Sequence, residues 1–118
     1  DLDHLVAALE ESLSGGRIAV SRRAVDELAS ALESHFDLEE RVYFPLVERF
    51  SPEHSTRVRA ARVAHAQVSE TLQSLRDLIE QGDALKACRV LAVLLDRFRT
   101  HEIEDARLIA DLERGRVS

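Results

Sequence analysis

The chain is poor in the residues that break, staple or mark a fold. Its 118 residues include one cysteine, two prolines and four glycines. A single cysteine excludes an intrachain disulfide framework and a thiolate zinc site. The scarcity of proline and glycine leaves long stretches free to be helical, and Ala, Leu, Glu and Arg, which favour helix, dominate what remains. No basic block occurs. Sixteen Lys and Arg are interleaved with 22 Asp and Glu for a formal charge of −6, so nucleic acid is not expected as a partner. No apolar run approaches the roughly 20 residues needed to span a bilayer, so no membrane span is expected. No signal peptide is visible in a sequence that begins at Asp1, and a cytoplasmic location is the default expectation. No segment alternates with period two, which argues against strands. The 45% hydrophobic content excludes a disordered chain. The length suits one domain, residues 1–118, with one core.

Helical periodicity accounts for nearly everything present. Leu2, Leu5, Val6, Leu9 and Leu13 form one apolar stripe over residues 2–13, ended by Ser14-Gly15-Gly16. A second helix is expected from a cap at Ser21 to Phe50, its stripe running from Val25 and Leu28 to Leu46 and Phe50, with Pro45 bending it near the end. Ser51-Pro52-Glu53 has the form of a helix start, and a third helix follows to about residue 80. Gly82 stops it and Asp83 can cap the fourth, residues 84–112. Four amphipathic helices on short connections predict an all-α, up-down-up-down four-helix bundle.

Ionisable residues interrupt three of the four stripes. His35 and Glu39 stand four apart in HFDLEERVYFPL, residues 35–46, with apolar neighbours on the same face. His101 and Asp105 repeat the device in the fourth helix, and His65 lies on the inward face of the third. Positions i and i+4 sit one above the other on a helix, so each pair presents an imidazole and a carboxylate together. Buried groups of this kind are costly unless they are paired, hydrogen-bonded or metal-bound. One inward histidine is usually a hydrogen-bonded core residue. Three on three helices, two with carboxylates at matching spacing, point to a metal. Imidazole with carboxylate suits iron, manganese or zinc. Two carboxylates able to bridge suggest two ions. The Glu-x-x-His pairs of ferritin-type bundles are absent from the second, third and fourth helices.

These residues carry a resemblance. HFDLEERVYFPL, an inward histidine in the third helix and HEIED at 101–105 look like the hemerythrin-like (HHE cation-binding) family over nearly the whole chain. The resemblance implies an antiparallel four-helix bundle with a non-haem di-iron centre, two oxo- or hydroxo-bridged ions, with manganese or zinc as other occupants. It implies His35, His65 and His101 as ligands, Glu39 and Asp105 as bridges, and His4, in LDHL, as the ligand from the first helix. Ala61 and Ser69 flank His65 where oxygen carriers of the family place a second histidine. One ion is therefore expected to have a more open sphere, with Glu40 or Glu104 as compensating ligands or solvated acids. At about 100° per residue His4 points away from the apolar stripe. Two readings of His4 stay open: a ligand on a helix wrapped on both faces, or a surface residue. Tyr43 could reach a bridging carboxylate or sit at the rim of the core. Phe36, Phe44 and Phe98 could shield the centre or serve core packing alone. His54 reads as a surface histidine and Cys88 as a small buried hydrophobe.

The function implied is binding or sensing of a small diatomic, O2 or NO, or of redox state. A peroxidase- or oxidase-type enzyme on the same metals and a metal-free helical interaction module are the alternatives. A homodimer or an attached signalling domain is left open.

Overall fold

The computed structural model describes residues 2–117, with side chains through residue 114. The ends of the expected 1–118 domain, Asp1 and Ser118, lie outside the described residues. Among those residues there are helices and turns and no strand. Helix α1 spans Leu2–Ser14, α2 Ile18–Leu38, α3 Phe44–Phe50, α4 Ser55–Glu80 and α5 Ala84–Val117. A π-helical segment, Glu39–Tyr43, joins α2 to α3 in one long rod, and a 3₁₀ turn, Pro52–His54, leads into α4. The whole is an elongated four-rod bundle of 53 × 22 × 19 Å. No described helix is long and apolar enough to cross a membrane.

Tight turns set the rods side by side. Gly16 (φ 67°) and Gly82 (φ 75°) take the left-handed conformation that ends α1 and α4. Asp83 accepts a hydrogen bond from the Lys86 backbone N–H at 3.2 Å, capping α5 as its position predicts. Ser21 does not cap α2, which begins three residues earlier at Ile18. Its hydroxyl is buried, donates back to Arg17 O at 2.9 Å, and lies 2.9 Å from Ser12 Oγ, linking α1 to α2.

The register of the second rod departs from simple periodicity. A regular helix through His35 and Glu39 would turn Val42 and Leu46 inward. Instead Phe44 and Val47 are fully buried, Val42 is 43% exposed, and Phe50, at the end of the expected stripe, is half exposed. Pro45 explains the shift, because its ring cannot donate and would clash with the carbonyl four residues back. The helix widens before it, and the Phe44 N–H reaches Glu39 O, five residues away. The extra residue in that turn keeps Glu39 in the core and rotates Phe44 and Val47 into it.

The core has two apolar parts. One contains Leu9, Leu28, Leu32, Phe36, Val68, Leu72, Leu75, Leu91 and Leu94, among others. The other contains Phe44, Val47, Val58, Ala61, Leu108 and Leu112. On the second rod, on α4 and on α5, the chain passes from one part to the other through buried ionisable residues: Glu39, His65, and His101 with Asp105. A polar layer therefore divides the bundle interior. Each fully buried Leu, Val or Phe contributes about 1.5–3 kcal/mol, and the two parts together offset the cost of burying that layer.

Candidate metal centre

Three rods supply the layer. Glu39 comes from the start of the π segment, His65 from the middle of α4, and His101 and Asp105 from successive turns of α5. All four are buried, at 3–4% exposure. One ligand atom from each lies within 4.8 Å of the others. His101 Nε2 is 2.7 Å from Asp105 Oδ2, and His65 Nε2 is 3.5 Å from both Glu39 Oε2 and Asp105 Oδ2.

A second group shares a member with the first. His35, Glu39 and Glu102 also bring ligand atoms within 4.8 Å of one another. His35 Nε2 is 2.6 Å from Glu39 Oε1 and 2.5 Å from Glu102 Oε1. The two oxygens of the Glu39 carboxylate thus face different groups: Oε1 the half-buried His35, Oε2 the buried His65. Ligand distances of about 2.0–2.2 Å place atoms around one cation up to about 4 Å apart, so donors within 4.8 Å of one another need only draw in slightly to hold an ion.

The hydrogen bonding of the layer is incomplete in a way that fits a cation. Glu39 Oε2, both nitrogens of His65, His101 Nε2 and both oxygens of Asp105 are buried without a hydrogen-bond partner. Buried polar atoms are nearly always satisfied, and six orphans in one cluster call for a cause. These atoms approach one another at 2.7–3.5 Å without the alignment of hydrogen bonds.

Aromatic rings hold the imidazoles in place. Phe36 stacks on one face of His65, with centroids 4.0 Å apart, and Phe44 lies nearly parallel at 5.4 Å. His101 meets His65 edge-on at 4.4 Å. Phe98 stands edge-on to His35 at 6.2 Å. The π segment is what brings Phe44 to His65, since a regular helix would have turned it aside.

Without a cation, the charges of the layer sort themselves. Burial alone would lower the His65 pKa, but the carboxylates of Asp105 and Glu39 overcome it and push it up to about 9. Burial likewise opposes ionisation of Asp105, yet His101 and His65 hold its carboxyl well below the usual range. Glu39 goes the other way: burial raises its pKa, the nearby His65 does not offset this, and the neighbouring Asp105 raises it further. The metal-free layer is thus an imidazolium held by an ionised Asp105, with Glu39 the acid that ionises reluctantly.

Of the six residues singled out from sequence, five meet in these two groups: His35, Glu39, His65, His101 and Asp105. His4 stands apart. It is exposed, as are its helix neighbours Ala7, Ala8 and Glu11, while Val6, Leu9 and Leu13 face inward. Its level is also wrong. His4 is ten residues before the end of α1 and His35 seventeen after the start of α2. At about 1.5 Å per residue, His4 falls roughly 10 Å short of His35 along the bundle. Leu2 lines a small cavity with Leu32 and Phe98, which places the start of α1 one turn short of the site.

Glu102 joins His35 and Glu39 although it is not among the expected ligands. Glu40 and Glu104 are the acids expected as compensating ligands, but the ion pairs of His35 are to Glu39 and Glu102. The signal for Glu102 was its spacing of four from Phe98, which puts it on the α2-facing side of α5. Glu40 has a different position. Its Oε1 lies 3.4 Å from His65 Nδ1, the ring nitrogen turned away from Glu39 and Asp105. A carboxylate behind a ligating imidazole orients it and raises its basicity. Glu40→Ala is expected to weaken cation binding about tenfold while leaving helix content unchanged, as measured by competition with a chromophoric chelator.

No curated protein and no solved structure matches the chain. A family model does, the hemerythrin HHE cation binding domain, over residues 1–114. With a match of that extent, and buried His, Glu and Asp side chains able to hold a metal at its centre, the chain belongs to the hemerythrin HHE cation-binding family.

Proposed function

We propose that the chain holds two non-haem iron ions, one in each group of ligand atoms, and uses them to bind or sense a small diatomic such as O2 or NO. The observation that carries this reading is the Glu39 carboxylate, whose two oxygens are directed to two separate sets of donors. A carboxylate so placed suits a bridge between two cations. The donors are imidazole and carboxylate with no thiolate, a set that suits iron. The ligand set in this proposal is His35, Glu39, His65, His101, Asp105 and Glu102, without the exposed His4.

When bound, the ferrous pair supplies reversible electron transfer toward a diatomic ligand. The chain's own residues do the rest. Three carboxylates, Glu39, Asp105 and Glu102, counter most of the charge of two divalent ions. Phe36, Phe44 and Phe98 keep the imidazoles oriented and limit water around them. His35 and Glu102, each about one-third exposed, leave one side of the centre open to a small ligand. A cytoplasmic setting belongs to the same proposal, since ferrous iron is held most readily under reducing conditions.

Anaerobic loading with two equivalents of ferrous ion, followed by NO or air, tests the reading. The expected result is two irons per chain after desalting and new charge-transfer absorption in the near-ultraviolet and visible. A featureless spectrum, or less than one iron retained, removes it. Turnover with peroxide at enzymatic rates would favour an oxidase- or peroxidase-type role over sensing.

A further inference from the structure

The two groups of donors differ in three ways, and together the differences imply unequal behaviour. The first is composition. The buried group offers two imidazoles and two carboxylates, the outer one a single imidazole and two carboxylates. The second is access. Side chains of the buried group are 2–5% exposed, whereas His35 is 34% and Glu102 36% exposed. The third is what each group does without a cation. Orphaned polar atoms occur throughout the buried group. In the outer group His35 Nε2 and Glu102 Oε1 already satisfy each other in a 2.5 Å hydrogen bond. A cation entering the buried group relieves unsatisfied atoms, while one entering the outer group must first displace a hydrogen bond.

We propose that the centre is a resident position beside an exchangeable one. Glu39, His65, His101 and Asp105 retain a cation through ordinary handling. His35, Glu39 and Glu102 hold a second, more hydrated divalent cation of harder, oxygen-preferring character, and Glu102 is the ligand on which that second site depends. An oxygen-rich, half-exposed donor set with room for water suits Mn2+ or Fe2+, whereas imidazole-rich burial suits Zn2+ or Fe2+. The chain can therefore carry two different metals at once and can lose one without the other. This inference rests on the dinuclear reading above.

The test uses the full chain, stripped by chelation. One equivalent of Zn2+ is added, the protein is desalted, and Mn2+ is then titrated in and followed by electron paramagnetic resonance. The expected result is one zinc retained on desalting and one manganese bound, with brief EDTA treatment removing the manganese alone. Glu102→Ala should weaken manganese binding by about tenfold or more and leave zinc retention unchanged. Because Glu102 is partly exposed, that variant should keep its helical circular dichroism. Release of both metals in one step overturns the proposal, as does wild-type manganese affinity in Glu102→Ala. Binding of a single cation of any kind, with no second site, removes the dinuclear reading itself and is distinguishable from both.

Discussion

Glu39→Leu should yield a protein that melts higher than the parent when both are metal-free and lower when both are loaded. The carboxylate sits at 3% exposure, and burial raises its pKa, so the metal-free fold holds it at a cost. Its removal strands no opposite charge. Asp105 still faces His65 and His101, and Glu102 still bonds His35. Replacing buried ionic groups by apolar ones of similar volume commonly stabilises, and a gain of about 1–2 kcal/mol is expected here. For a domain of this size that is a rise of roughly 4–8 °C in Tm. In the loaded state the order inverts, because the variant lacks the one side chain common to both groups of donors and should retain less than one cation. Stabilisation by ligand binding then accrues to the parent alone. Thermal melts with and without metal, together with metal analysis, check both halves. A Glu39→Leu protein that keeps two cations would remove Glu39 from the bridging role.

Metal-free stability should fall as pH rises from about 6.5 to about 9, while cation affinity rises over the same interval. His65 is the cause. Its pKa moves from an ordinary 6.5 up to about 9 in the fold, so the folded state binds the proton more tightly than the unfolded chain. The stability this supplies is fully present below 6.5 and is lost as pH climbs through 9. The shift corresponds to something on the order of 3 kcal/mol, and the imidazole is buried enough that solvent screening does not discount it. Glu39 acts in the same direction, since its raised pKa contributes stability that is lost as pH climbs above the ordinary carboxylate range. Asp105 acts at the opposite end: its lowered pKa contributes stability above the ordinary carboxylate range that is lost on acidification. A ligating His65 must be deprotonated, so each proton that leaves favours the cation. Melting curves across this pH range, run with and without metal, should diverge. A metal-free Tm that holds level or rises between pH 6.5 and 9 would show that His65 is not the held imidazolium described.

Much of this was legible in the chain because it depends on local spacing. Apolar residues at helical intervals marked every rod, and Gly16, Gly82 and Asp83 marked turns that the structure places there. The pairs His35–Glu39 and His101–Asp105 could be read for the same reason, since four residues is close to one turn in any helix. Spacing also flagged the weakness of His4, whose exposure follows from its angle on α1.

Ser21 shows where local reading stops. As a polar residue before an apolar stripe it looks like a cap, but its hydroxyl is occupied by Ser12 on another helix. Glu102 is a further case. Its spacing from Phe98 sets its face of α5, but only the packing of α2 against that face makes it the partner of His35.

By itself, then, the sequence determined the helices, their order, and five of the residues that meet in the two groups of donors, because each follows from contacts within about one turn. Tertiary structure decided the register and the pairing. Pro45 made a π segment necessary, but burial of Phe44 and Val47 chose where the extra residue went. It left Glu39 able to face both His35 and His65. The level of α1 against α2, which puts His4 out of reach, depends on how two helices slide past each other. That offset is set by side-chain packing between rods, and no periodicity within one rod contains it.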